Sequence, residues 1–129
     1  LFNAHHSVSP ETVVDAFEHT YRDLKKMMAK YRILEPAYLN MVVTNGLFIV
    51  ATRYCSDPKE EPLTLYHSEG SRYVVEDGIT RLEAPEDNDH AVLVVSEKLT
   101  DDKNWTMIPP NHFVIVEQSL NVRIRPIKD

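Results

Sequence analysis

The residue most able to do chemistry is Cys55. A thiolate is a strong nucleophile, and the cation Arg53, two positions earlier, could lower a thiol pKa. Its surroundings argue the other way. No nucleophile-elbow spacing and no cysteine-enzyme signature flanks it, so a small, partly buried thiol at the close of an apolar run is the simpler reading. Metal chemistry fares no better. Of His5, His6, His19, His67, His90 and His112, only His5 and His6 are adjacent, and no HxxxH, HExxH or CxxC spacing occurs. They read as surface or locally bonded rings, and no metal site is assigned. Gly46, Gly70 and Gly78 each read as a turn residue, so no phosphate-cradling loop forms and no cofactor is implied. Carboxylates are plentiful, but Glu60-Glu61 and Glu86-Asp87-Asp89 fall in polar loops and read as solvation. Two pairs remain. Arg53-Tyr54 closes one apolar run, and Ser96-Glu97 closes another. Polar groups carried out of a buried layer can form the rim of a pocket. For Ser96-Glu97 the competing reading is a turn or cap that satisfies backbone donors. The expected substrate-binding set is Arg53, Tyr54, Ser96 and Glu97, with no catalytic residue assigned.

These residues need elements to hold them. After a lead-in of residues 1–8, Ser9-Pro10-Glu11 predicts a helix start: an N-cap hydroxyl, a proline at the first helical position and an acid at the positive end of the dipole. Val14, Phe17, Tyr21, Leu24, Met28 and Tyr31 then form one apolar stripe, and Glu35-Pro36 ends the pattern, giving a helix over 9–34. From Tyr38 onward the chain reads as antiparallel strands over 38–127. Asn45-Gly46 predicts a tight hairpin with positive φ at both central positions, and Asp77-Gly78 a second one. Strands are expected at 63–67, 73–76, 79–83, 91–95, 105–108, 112–117 and 122–127, and Pro126 puts the last of them at an edge. The first hairpin is unusual. Met41 to Val43 and Leu47 to Ala51 place apolar groups on both sides of the pleat, so both faces are expected to be covered. One helix cannot cover that many strands on both faces; a second sheet, another subunit or further chain is required.

The whole chain sets the outer limits. Its 129 residues, 43% hydrophobic and 26% charged, suit one α+β domain with a real core. A net charge of −6 gives no electrostatic footprint for nucleic acid. No apolar run approaches the roughly 18 residues that span a bilayer, so no membrane partner is expected. A single cysteine cannot form an internal disulfide, which favours a reducing, cytoplasmic setting. The chain opens Leu-Phe-Asn without an initiator Met, and further residues are expected upstream.

Several segments, taken in order, resemble a known family. They are Val43-Thr44-Asn45-Gly46, Ala51-Thr52-Arg53-Tyr54, Leu65-Tyr66, Val94-Val95-Ser96-Glu97, Leu99-Thr100, Trp105, Pro109-Pro110 and His112. Together they resemble the carboxy-terminal half of class II glutamine amidotransferase-like proteins, close to the glutathione-degrading amidotransferase component and the ergothioneine-pathway gamma-glutamyl hydrolase. Asn45, Lys98 and Asn111 stand where that pattern usually has Asp, Pro and Gly. The resemblance implies an αββα sandwich of the Ntn-hydrolase kind. It implies hydrolysis of a gamma-glutamyl amide by the thiol of an amino-terminal Cys, whose own amino group acts as base. Cys55 cannot inherit that role, because its nitrogen lies in a peptide bond. The nucleophile is therefore expected upstream, and this chain alone is expected to be inactive. The implied partners are a gamma-glutamyl small molecule and an amino-terminal half or protein partner; a homo-oligomer also fits. Two alternatives stand beside this: a non-catalytic β-rich interaction module, and a thiol enzyme using Cys55.

Overall fold

A computed structural model describes residues 8–69, 72–83, 90–101 and 103–129. His5, His6, Gly70 and the acidic stretch Glu86-Asp87-Asp89 lie outside the described residues. The architecture is α+β. Helix α1 (Pro10–Lys30) precedes β1 (Met41–Thr44), β2 (Ile49–Arg53), β3 (Tyr66–Glu69), β4 (Arg72–Glu76), β5 (Ile79–Glu83), β6 (Val92–Val95), β7 (Thr106–Met107), β8 (His112–Val116) and β9 (Val122–Pro126). A four-stranded sheet has the order β1-β2-β8-β9, a three-stranded sheet β6-β3-β7, and β4-β5 forms a hairpin; every pairing is antiparallel.

Helix α1 starts where the sequence predicts: the Ser9 hydroxyl accepts from the Thr12 amide at 3.2 Å, and Pro10 opens the first turn. It ends four residues earlier than expected. Tyr31 is the C-cap, and Arg32 adopts the left-handed conformation (φ 53°). Its amide bonds the Ala29 carbonyl at 3.2 Å and that of Ile33 bonds Met28 at 2.9 Å. This is a Schellman ending in which an arginine stands where glycine is usual, so composition gave no sign of it. Tyr31 is accordingly exposed rather than part of the apolar stripe.

The alternation of β2 explains the layers. Phe48, Val50 and Tyr54 face the helix and pack with Val14, Phe17, Tyr21, Phe113 and Ile115. Ile49 and Ala51 face the other way and pack with Leu65, Ile108, Val114 and Val116, with Val92 and Val94 of β6 against them. The central strands β2 and β8 are thus covered on both faces, by α1 on one side and the second sheet on the other. β1 is not, which corrects the expectation of a hairpin dry on both sides: Val42 is 56% exposed and Leu47 55%. Of the β1 residues Met41 packs against the helix-side cluster, while Val42 and Val43 stay exposed. β9 does lie at the opposite edge.

The first hairpin turn also differs. Thr44 pairs with Ile49, so the loop is the four residues 45–48 rather than Asn45-Gly46 alone, and only Gly46 has positive φ (86°). Asn45 Oδ1 accepts from the Leu47 amide at 3.0 Å, and Thr44 Oγ1 accepts from the Gly46 amide at 3.1 Å and donates to the Phe48 carbonyl at 2.6 Å. Side-chain oxygens replace the backbone bond of a two-residue turn. The register moves by two relative to that turn, so every side chain keeps its expected face. At Asp77-Gly78 both residues do have positive φ (51° and 74°), the tight hairpin expected there.

Candidate functional site

The polar centre of the molecule is built on Arg53, at the end of β2. Its side chain leaves the sheet on the face of Ala51 and is 1% exposed. A guanidinium buried this far must have acceptors for its donors. Nε donates to the Leu63 carbonyl at 2.9 Å, Nη1 to Ile108 at 2.9 Å, and Nη2 to Pro62 at 3.0 Å and to Glu61 Oε1 at 2.7 Å. Glu61 itself remains in water, so one carboxylate and three carbonyl dipoles neutralise the charge. Asn40 grips the same segment, donating through Nδ2 to the Leu63 and Thr64 carbonyls at 3.1 and 3.0 Å. A strand was expected over 63–67. The Leu63 and Thr64 carbonyls are taken by side chains instead, so β3 starts only at Tyr66.

The clamp continues to the end of β6. The Thr64 hydroxyl donates to the Ser96 carbonyl at 2.9 Å, and the Ile108 amide to the Leu65 carbonyl at 2.8 Å. Ser96 and Glu97 are exposed at this end, and Lys98 Nζ sits 5.4 Å from the centre of the Tyr66 ring. Of the four expected residues, the fold therefore links Arg53 to Ser96-Glu97 through the segment 61–64. Tyr54 points to the opposite face. Its ring stacks on Tyr21 with centroids 3.9 Å apart, and its hydroxyl donates to Asp129 Oδ2 at 2.8 Å. Burial, then the Asp129 hydrogen bond, pushes the Tyr54 hydroxyl well above its usual pKa; burial pushes that of Tyr21 up to about 12. Neither phenol is an acid or base at neutral pH.

Cys55 is 1% exposed, and its amide donates to Asn111 Oδ1 at 2.8 Å. That thiol has no open path to a substrate in this fold. His67, in β3, is likewise inside. It stands opposite Val94, and burial lowers its pKa, opposed by the Glu69 charge; its Nδ1 is buried with no hydrogen-bond partner among the described residues. At the far end of the second sheet a hollow of about 520 Å³ opens between Glu69, His90, Val92 and the β8–β9 turn at Ser119 and Leu120. None of the four expected residues lines it. Among the described residues no three His, Cys, Asp or Glu side chains gather as a metal would need, and no helix is long and apolar enough to cross a membrane.

Sequence reasoning missed Asn40, Glu61, Thr64 and Asn111, which hold this region together. Only Asn111 carried a signal: it stands at a usual glycine position, and its φ is 56°.

No family model matches the chain. It is 33% identical over 98 residues to "Probable glutamine amidotransferase DUG3" of Saccharomyces cerevisiae, an alignment covering 74% of this chain and 27% of that protein. The chain thus spans about a quarter of the relative it matches, and the shared sequence establishes a glutamine amidotransferase-like relationship.

Proposed function

We propose that this chain is one part of a glutamine amidotransferase-like hydrolase that cleaves a gamma-glutamyl amide, with the amino-terminal Cys nucleophile outside these residues. The observation that carries the reading is the 33% identity over 98 residues to a probable glutamine amidotransferase. The buried state of Cys55 supports the second half of it, since an internal thiol with an acylated, hydrogen-bonded nitrogen has neither access nor a free amine to act as base. In this reading the sandwich belongs to the Ntn-hydrolase type. Ser96 and Glu97 supply polar groups to the wall of the gamma-glutamyl cleft, Arg53 fixes that wall from behind, and Tyr54 fixes the helix to the same strand. No metal or cofactor takes part.

The test has two arms. Residues 1–129 alone, given glutamine, glutathione or L-gamma-glutamyl-p-nitroanilide, release no product; turnover that disappears in Cys55→Ala overturns the reading in favour of a thiol enzyme. The full polypeptide carrying these residues hydrolyses at least one of the three. Absence of hydrolysis of any gamma-glutamyl amide by the full polypeptide favours the non-catalytic interaction module instead.

A further inference from the structure

The two edges of the four-stranded sheet are built differently. β9 carries Arg123, Arg125 and Pro126. Charge and proline are the usual means of stopping an edge from pairing with another strand. Both arginines are also tied down, Arg123 to Glu11 at 2.7 Å and Arg125 to Glu18 at 3.2 Å. β1 has none of these devices: its residues are Met41, Val42, Val43 and Thr44. The Leu39 amide bonds the Tyr54 carbonyl, and the alternation of an antiparallel ladder then turns the Val42 N–H and C=O away from β2. Beside this open row lies a groove of about 370 Å³ between β1 and α1, lined by Val13, Ala16, Phe17, Thr20, Met41 and Val43. Its helix wall combines apolar side chains with the hydroxyls of Thr12 and Thr20, Val8 lines it just ahead of the helix, and no charged residue is in the lining, although the chain as a whole carries −6. On the other face of the strand Val42 is 56% exposed.

A hollow under the helix, a backbone row with no partner among the described residues and an exposed valine on the far face together have the shape of a missing strand, not of a small-molecule pocket. We infer that β1 is the docking edge for one extended segment of the same polypeptide lying outside these residues. That segment adds a fifth strand to the sheet, with a small or apolar side chain seated over Ala16 and Thr20 and the next one against Val42. This rests on the reading that the chain is part of a larger amidotransferase-like protein. The length relation supports it: the alignment accounts for 27% of the relative, so most of that protein lies outside the matched region.

Hydrogen exchange on the full polypeptide carrying these residues tests the inference. The expected result is that the Val42 amide exchanges at least 100-fold more slowly than an open-edge amide, at a rate independent of protein concentration. Val43→Lys, which puts a charge into the groove, is expected to lower Tm and speed that exchange. An unprotected Val42 amide overturns the inference, and so does protection that weakens on dilution, which would identify a second copy as the occupant. Gamma-glutamyl hydrolysis measured on the same preparation separates the two failures. Activity with an unprotected β1 sinks the docking inference alone, whereas protection without activity sinks the functional reading and leaves the edge occupied.

Discussion

Arg53 turns its whole donor fork inward, and this sets what its replacement does. Arg53→Leu leaves the Pro62 and Ile108 carbonyls unpaired in a buried site and takes from the Leu63 carbonyl one of its two donors, the other being Asn40. Urea unfolding is expected to show a loss on the order of 3 kcal/mol. Arg53→Lys keeps the charge but cannot reach all four acceptors, so most of that loss should remain. Little loss in either variant would mean that the clamp is not what holds residues 61–64. A second prediction concerns His67. Its pKa is lowered in the fold, so the unfolded chain takes up a proton first as pH falls. Stability is expected to fall as pH drops below the ordinary histidine value of 6.5, down to the depressed folded value. His67→Leu should flatten that part of the pH–stability profile; an unchanged slope would assign it to another group. The sequence made Arg53 legible as the polar end of an apolar strand. It could not show that the acceptors come from residues 61–63 and from 108, because those contacts exist only once the two sheets face each other.

The elements were legible wherever a local rule governed them. The helix start, the Asp77-Gly78 turn and the apolar runs of β2, β6 and β8 follow from capping, turn chemistry and periodicity. What escaped was set by side chains reaching across the fold, or by backbone states their residues rarely adopt: the late start of β3, the Arg32 helix ending and the four-residue first hairpin loop. Asn111 tests this directly. It holds a left-handed φ and also gives Cys55 its amide acceptor. Asn111→Ala loses both and is expected to cost about 2 kcal/mol. Asn111→Gly keeps the conformation and loses only the acceptor, so it should cost about half as much. Equal costs would show that conformation has no part in the choice of residue. At the helix start, Ser9→Ala is expected to cost about 1 kcal/mol, read by thermal or urea unfolding.

At the scale of the molecule, the last residues seal the helix onto the sheet. The Lys128 amide and Arg125 both bond Glu18, which is 6% exposed, and Lys25 and Tyr54 both reach Asp129. Burial pushes the Asp129 carboxyl up, but the hydrogen bonds from Lys25 and Tyr54 outweigh it and hold the pKa below 3.8. Its contribution is therefore fully present above that value and is lost as pH falls through the depressed folded one. Asp129→Asn should be less stable than the native chain at neutral pH, and the gap should close below about pH 4; a gap that persists at lower pH would rule out this carboxylate as its source. The composition announced a layered α+β domain, but the uncovered β1 edge needed the arrangement of the layers to become visible. The Tyr21–Tyr54 stack has one more consequence. The tyrosine pair lies between the helix and the first sheet, while Trp105, the single tryptophan, is buried beside β7 with its Nε1–H on Thr100. The molecule thus carries two optical reporters on opposite sides of β2. The part of the near-ultraviolet ellipticity that is lost in Tyr21→Phe belongs to the stacked pair and follows the helix layer, and tryptophan emission follows the second sheet. Because β2 and β8 belong to both packing clusters, the two signals are expected to change at one denaturant concentration. Two separate midpoints would reveal a helix layer that detaches from an intact pair of sheets.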